Sequence, residues 1–249
     1  MSNIIVTGGS SGIGLSIVSA LLVDGHRVIN LDIEEPFPNV FGQYSKYGHI
    51  ECDVSDFLSV SAAYSHIKMA SLDKSNIDIL INNAGINYIN WIEETPDENW
   101  DAVVGVNAKG IFNTAKVFKG ALRTSKGAIL NIVSNASHMP MTNSIAYNAS
   151  KGAAHIMTLQ MARELGPQGI SVFGISPNRI KGTGMSNYID SQVCELRGWT
   201  KEYARDYQLK ALPAGEETDP ETLAEFIAFL LSSKQRHKYL AGTVLPYGK

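Results

Sequence analysis

Short apolar runs alternate along this chain with longer stretches in which apolar residues return every three or four positions. The first pattern reads as a strand buried on both faces, the second as an amphipathic helix. NIIVT at residues 3–7 is the first strand, and IGLSIVSALLVDG at 13–25 is a helix stopped by Gly25. RVINL (27–31) and HIECDV (49–54) are the second and third strands, followed by a helix over about 56–70. IDILINNAG (77–85) is a fourth strand running into a polar turn. A helix over 99–118 leads to GAILNIVS (127–134), the fifth strand. Residues 150–165 read as helix, GISVFGIS (169–176) as the sixth strand, PETLAEFIAFLLSS (220–233) as a late helix and GTVLPY (242–247) as a last strand.

Strands alternating with helices over short connections predict an α/β fold: one doubly wound parallel sheet with helices on both faces. No repeat or linker divides the chain, so residues 1–249 are expected to form a single Rossmann-type domain. One insertion, between Pro177 and about Glu217, interrupts the alternation with two or three short helical patterns. Its stretch at about 184–212 carries Met185, Tyr188, Trp199, Tyr203 and Tyr207, which serve either as a lid over a substrate or as packing for the small helices themselves.

Composition narrows the classes. Hydrophobic residues make up 44% of the 249 and charged ones 18%, enough for a packed core and too apolar for disorder. The net charge of −3 comes with no basic block, which argues against a nucleic-acid partner. No apolar run is long enough to span a membrane, and the first residues lack the basic-then-apolar order of a secretory signal. Cys52 and Cys194 stand far apart without metal-ligand spacing, so no metal ligands are nominated. A cytoplasmic protein with free thiols is the expectation.

Candidate chemistry gathers where the predicted strands end. TGGSSGIG (7–14) follows a strand and opens a helix. Gly8, Gly12 and Gly14 permit a tight turn, and the helix N-terminus offers free N–H groups to a phosphate. Its spacing is Gly-x-x-x-Gly-x-Gly, and a plain strand-to-helix turn is the alternative. Asp32 closes the second strand, where a carboxylate accepts hydrogen bonds from ribose hydroxyls and repels a 2′-phosphate; an ordinary turn-starting Asp is the alternative. Asp53-Val54 and Asn82-Asn83-Ala84-Gly85 end the third and fourth strands. Ser134 ends the fifth, and YNASK places Tyr147 and Lys151 four apart, on one helix face.

Taken in order, the glycine turn, Asp32, the NNAG turn, Asn107, Ser134, Tyr147 and Lys151 resemble the short-chain dehydrogenase/reductase family in its single-domain form, over nearly the whole chain. The resemblance implies an NAD(H)-dependent oxidoreductase that interconverts a secondary alcohol and a ketone. Tyr147 would be the acid/base, Lys151 its partner, Ser134 the substrate-orienting hydroxyl and Asn107 a member of the proton relay. The implied NAD-contacting set is Gly8, Ser10, Ser11, Gly12, Ile13, Gly14, Asp32, Asp53, Val54, Asn83, Ala84, Gly85, Tyr147, Lys151, Pro177, Ile180 and Thr183. The residue types suit that chemistry. A free phenol titrates near 10, and a neighbouring Lys⁺ with an oxidised nicotinamide would supply the roughly 4 kcal/mol that a base at neutral pH needs. A homotetramer or homodimer is also implied, built on helices at about 103–118 and 149–161. The rival readings are a non-catalytic NAD-binding regulator or sensor on the same fold and a purely structural subunit.

The chain departs from the family pattern in three places. Pro177 is followed by Asn178 rather than Gly, for which a left-handed turn is expected; Thr183 comes one residue later than the commonest spacing; and the chain closes on LPYGK. Substrate hints are His138, Met139, Met141 and Asn143 ahead of Tyr147, together with Arg179, Lys181, Arg197 and Arg205, which would suit an anionic substrate or be scattered surface charge.

Overall fold

Seven parallel strands form the centre of the computed structural model, which describes residues 1–36, 40–70 and 76–248. In chain order the elements are β1 (Asn3–Thr7), α1 (Gly12–Val23), β2 (Arg27–Asp32), β3 (Tyr47–Glu51), α2 (Phe57–Ala70), β4 (Ile79–Asn82), α3 (Asp97–Val104) and α4 (Gly110–Ser125). There follow β5 (Ala128–Ile132), α5 (Ile145–Leu165), β6 (Ser171–Pro177), α6 (Gly184–Arg197), α7 (Lys201–Lys210), α8 (Pro220–Leu231), α9 (Lys234–Leu240) and β7 (Val244–Tyr247). The strand order is β3-β2-β1-β4-β5-β6-β7, and every neighbouring pair is parallel. The chain winds outward from β1 to β3, returns to β4 beside β1, and winds outward the other way. The crevice between the carboxyl ends of β1 and β4 is therefore the switch point where such sheets hold ligands.

The two-residue period of the strands divides the core. Leu130 and Phe173 join Ile17, Leu21, Leu223 and Ile227 of α1 and α8 on one face. Ile129 and Val172 join Val60, Phe118, Leu122 and Leu165 of α2, α4 and α5 on the other. Each such side chain, fully buried, contributes about 1.5–3 kcal/mol. Helices α7 and α8 begin with side-chain caps. Thr200 Oγ1 accepts from Tyr203 N at 3.2 Å and Asp219 Oδ2 from Thr222 N at 2.9 Å. Ser11, ahead of α1, makes no such cap, so the first N–H groups of that helix stay free at the crevice.

Several boundaries differ from the sequence reading. β3 covers 47–51 rather than 49–54, so Cys52 to Val54 already belong to the connection. α5 starts at Ile145, five residues before Ser150, because the helix continues through the polar YNAS stretch. The predicted helix over 99–118 is a longer helical path whose middle, Gly105–Lys109, is a π-helical turn. α9 was not expected; its KQRHKYL sequence carries little apolar signal, and buried His237 fixes it through a 3.1 Å contact from Nε2 to the Leu231 carbonyl oxygen. Asn178 is not left-handed: among the described residues only Lys126 and Asn143 of the non-glycines have positive φ. Its side chain instead holds down the chain end, Oδ1 accepting from Thr218 Oγ1 at 2.6 Å and Nδ2 donating to the Gly248 carbonyl. Lys249, the last residue of LPYGK, lies outside the described residues.

A buried polar chain ties the middle of the sheet to two helices. Asn82 and Asn131 face each other across β4 and β5, with Asn82 Nδ2 donating to Asn131 Oδ1 at 2.8 Å. Asn131 Nδ2 donates to Thr158 Oγ1 of α5 at 2.8 Å, and Thr114 Oγ1 of α4 donates to Asn82 Oδ1 at 2.7 Å. Removing one member strands the others, at a cost of about 1–3 kcal/mol per unpaired group. Asn131→Ala is expected to lower the unfolding free energy by roughly 2–3 kcal/mol, read in urea as a lower midpoint with an unchanged slope. A loss under about 0.5 kcal/mol, within the range of an ordinary surface substitution, would contradict this account.

Candidate active site

The turn after β1 is held from two sides. Thr7 Oγ1 accepts from Asn83 N at 3.0 Å and from Ala84 N at 3.1 Å, and Asn83 Nδ2 donates back to the Gly8 carbonyl at 2.8 Å. Gly8 has φ 66°, and a Cβ there would lie 2.7 Å from Ala84 Cα. A Cβ on Gly14 would lie 1.9 Å from the Gly8 carbonyl oxygen. Only glycine fits either place. From the other side, buried Asn30 accepts from Gly9 N at 2.8 Å and donates to Ser10 Oγ at 2.9 Å. Asn30 and Thr7 were not nominated from the sequence, although one signal was present: a polar residue in the apolar run RVINL.

Asp32 closes β2 beside this turn. Its Oδ2 accepts from Ser10 N at 2.9 Å and its Oδ1 from Glu34 N at 3.3 Å, which fixes the carboxylate while leaving lone pairs free. Asp53 is exposed past β3, its Oδ1 accepting from Ser55 N at 2.8 Å. Val54 is packed under the turn by α4: Asn113 Nδ2 donates to the Val54 carbonyl at 2.9 Å, and a Cβ on Gly110 would lie 2.8 Å from Val54 Cγ2.

At the other end of the crevice, Ser134 follows β5 and Tyr147 lies in the first turn of α5. Both hydroxyl-bearing side chains line the same cleft, and the Ser134 hydroxyl is near enough to influence the Tyr147 phenol. Lys151, one turn on, has its Nζ 5.7 Å from the Tyr147 ring centroid and donates to the Ile132 carbonyl at 2.9 Å. Burial pushes the Tyr147 phenol above its usual value, and the Ser134 hydroxyl draws it partly back. Burial also pulls Lys151 down to about 8. In the protein alone, desolvation is the largest influence on both groups. Asn107, fully buried, sits in the π-helical turn. Its Oδ1 accepts from Ile86 N at 2.8 Å, while Nδ2 donates to the Ile86 carbonyl at 2.9 Å and to Ser150 Oγ at 3.0 Å. Both its amide hydrogens are thus engaged in holding the turn after β4 against α5.

The insertion forms α6 and α7, and with them the outer wall. Thr183 caps α6, accepting from Ser186 N at 3.1 Å. Met185, Tyr188, Trp199 and Tyr207 face the cleft, while Trp199, Tyr203 and Tyr207 also pack on one another at ring separations of 5.0 to 6.5 Å. The aromatics therefore pack the small helices and also line the cleft. Arg179 is ion-paired to Asp190 and Glu217 and has no charge to spare for an anion. Arg197 lines the cleft and donates to Asn143. His138 lies off the cleft, its Nδ1 3.1 Å from Ser137 Oγ, whereas Met139 and Met141 face in.

Of the nominated residues, all but Ser10 and Asn107 line a single cleft of about 1350 Å³. That exceeds the few hundred to about 1,000 Å³ of a drug-sized site, leaving room for a dinucleotide with a small substrate. The wall fits such a cofactor chemically. The uncapped start of α1 suits a pyrophosphate, and the fixed Asp32 carboxylate suits a ribose. Lys151 is a buried ammonium with one acceptor among the described residues, so two of its three hydrogens are left for hydroxyls of a bound molecule. Sequence reasoning also missed Asn87, Ser144 and Ser150. They are short polar residues in stretches without periodicity, and nothing local marks them.

Known proteins resemble the chain throughout its length. The family model for short chain dehydrogenases matches residues 2–193. An NAD-dependent glycerol dehydrogenase of Listeria innocua is 32% identical over 233 residues, which are 92% of this chain and 85% of that one. A sorbitol-6-phosphate 2-dehydrogenase of Klebsiella pneumoniae is 31% identical over 96% of this chain and 91% of its own. The crystal structure of an actinorhodin polyketide ketoreductase with NADPH superposes with a TM-score of 0.89 at 26% identity, covering 98% of this chain and 95% of that one. With a glycine turn, a crossover crevice and a Ser–Tyr–Lys cluster on one seven-stranded sheet, and relatives matched almost end to end, this chain belongs to the short chain dehydrogenase family.

Proposed function

We propose that the protein is an NAD(H)-dependent oxidoreductase that interconverts a secondary alcohol and a ketone. The observation that carries this reading is the Ser134–Tyr147–Lys151 cluster on one cleft wall, with a hydroxyl acting on a half-buried phenol and an under-coordinated ammonium 5.7 Å from the ring centre. The cofactor, when bound, supplies the hydride chemistry. Tyr147 exchanges the proton of the substrate oxygen, and Ser134 holds that oxygen in line. In the protein alone the phenol stays protonated, as a donor to a ketone must. To act as a base it needs the added positive charge of an oxidised nicotinamide, which works together with Lys151. Lys151 offers its free hydrogens to ribose hydroxyls. Asn107 acts on the same site by holding Ile86 and Ser150, which fixes the backbone that flanks Lys151.

NAD rather than NADP is supported at the far end of the cleft. Asp32 and Glu34 both line it, and the basic wall residues, Lys151, Arg179 and Arg197, all come from the β5–β6 side. A homotetramer is supported by apolar side chains left exposed on α4 and α5, among them Phe112 and Ile156 at 52% and 62%.

Tyr147→Phe is expected to lose on the order of 10²-fold or more in kcat while binding cofactor normally; near-normal turnover would remove Tyr147 from its role. A 2′-phosphate about 4 Å from Asp32 would cost roughly 4 kcal/mol at an effective dielectric near 20. Steady-state kinetics should therefore give kcat/KM at least about tenfold higher with NAD than with NADP, with the gap narrowed in Asp32→Ala. Equal use of both cofactors by the unmutated enzyme contradicts the assignment. For assembly, light scattering at micromolar concentration should give four times the 27.0 kDa chain mass, and a monomer mass would refute the tetramer.

A further inference from the structure

Arg197 is the one cationic side chain on the cleft wall, apart from Lys151, that has no carboxylate partner among the described residues. It is held in place all the same. Nε and Nη2 donate to Asn143 Oδ1 at 3.2 and 2.9 Å, and the guanidinium lies 4.8 Å from the Trp199 ring. Both tethers are neutral, so they orient the guanidinium without cancelling its charge. An aspartate at 143 would have done the opposite. The bonds to Asn143 occupy one edge of the guanidinium. The Nη1–Nη2 edge, the fork that matches carboxylate and phosphate, has no acceptor among the described residues.

Asn143 is itself set up at a cost. It has φ 65°, is buried, and its Nδ2 has no hydrogen-bond partner among the described residues, while its carbonyl is fixed by Asn90 N at 2.9 Å. A left-handed backbone with an unpaired buried amide hydrogen persists only where surrounding structure imposes it, and such outliers gather at ligand sites. A second unpaired atom lies close by on the same wall. Asn87, 6% exposed, lines the cleft with an Oδ1 that accepts from none of the described residues, and its Nδ2 makes a 3.5 Å contact to Ser144 Oγ. An acceptor left in this state suits a donor hydroxyl of a bound molecule.

Resting on the alcohol–ketone reading above, we propose that Arg197 is a receptor for an anionic group, carboxylate or phosphate, carried by the substrate, and that Asn87 accepts a hydroxyl of the same molecule. Asn143 is the positioning residue that aims Arg197. The acidic wall residues Asp32, Glu34 and Asp53 follow β2 and β3, across the crevice from the segment between β5 and α5 that holds Asn143, so they do not repel an anion at Arg197. The substrate class is a hydroxy acid or a phosphorylated polyol.

The test uses the NADH-loaded enzyme in calorimetric titrations with two matched pairs: glycerol 3-phosphate against glycerol, and 3-hydroxybutyrate against 2-butanol. The anionic member of one pair should bind at least tenfold tighter than its neutral partner, and the pair that responds tells phosphate from carboxylate. Arg197→Met should cut that ratio at least tenfold, and Arg197→Lys should keep part of it. Asn143→Asp, nearly identical in shape, should cut it as Arg197→Met does, with cofactor affinity and melting temperature unchanged. A ratio near one for both pairs, no detectable binding of either anion, or a ratio insensitive to Asn143→Asp overturns the receptor. The two readings separate in the same experiments. A sound ratio with no NADH formed from NAD and any of the four compounds would sink the oxidoreductase reading alone. NADH formed from a neutral alcohol with a ratio near one would sink the receptor alone.

Discussion

The site rests on the close approach of two turns. The chain leaving β1 and the chain leaving β4 touch so tightly that Gly8 meets Ala84 with no room for a side chain, and Thr7 takes two N–H groups of the second turn on one hydroxyl. Parallel pairing makes this contact possible, because only parallel neighbours send both their exits to the same edge. With the two turns joined, the start of α1 points along the crevice. The turn after β4 then passes over α5 at Gly85, where an added Cβ would lie 3.5 Å from Lys151 Nζ. The absence of a side chain at Gly85 leaves that space open beside the ammonium, which is tethered to the Ile132 carbonyl at the end of β5.

Desolvation gives that placement its chemical effect. Lys151 is buried and Tyr147 half-buried, and loss of solvent moves their titrations in opposite directions: the amine falls to about 8 while the phenol rises. Desolvation disfavours the charged form of each, though at about 8 the amine is still mostly protonated at neutral pH.

Sequence legibility followed the physics of each feature. The strand and helix alternation was readable because burial on two faces and on one face leave different periods, and the nominated residues at strand ends nearly all reached one cleft. The start of α5 was less readable: the spacing puts Tyr147 and Lys151 on one helix face, but Tyr147 and Asn148 break the apolar period, so the periodic stretch begins only at Ser150. Asn178 was misread from analogy with glycine: its conformation is ordinary, and its side chain matters because it ties Thr218 and Gly248 together. Asn30, Asn82 and Asn131 look like interruptions in apolar strands, and their partners come from distant segments that no local pattern reveals.

The π-helical turn at Gly105–Lys109 sets a phase between two helices. An α-helix advances about 100° per residue, so one extra residue in a turn rotates everything beyond it by roughly that angle. α3 can therefore pack on α5 while α4, continuous with it, turns its Phe118 and Leu122 toward the sheet. Asn107 stands at the point of rotation and joins the turn after β4 to Ser150 of α5. Seen this way the path from Asp97 to Ser125 is a crank with one throw, and its angle is counted in whole residues. Substitutions can change the crank's strength, but only a gain or loss of a residue can change its setting.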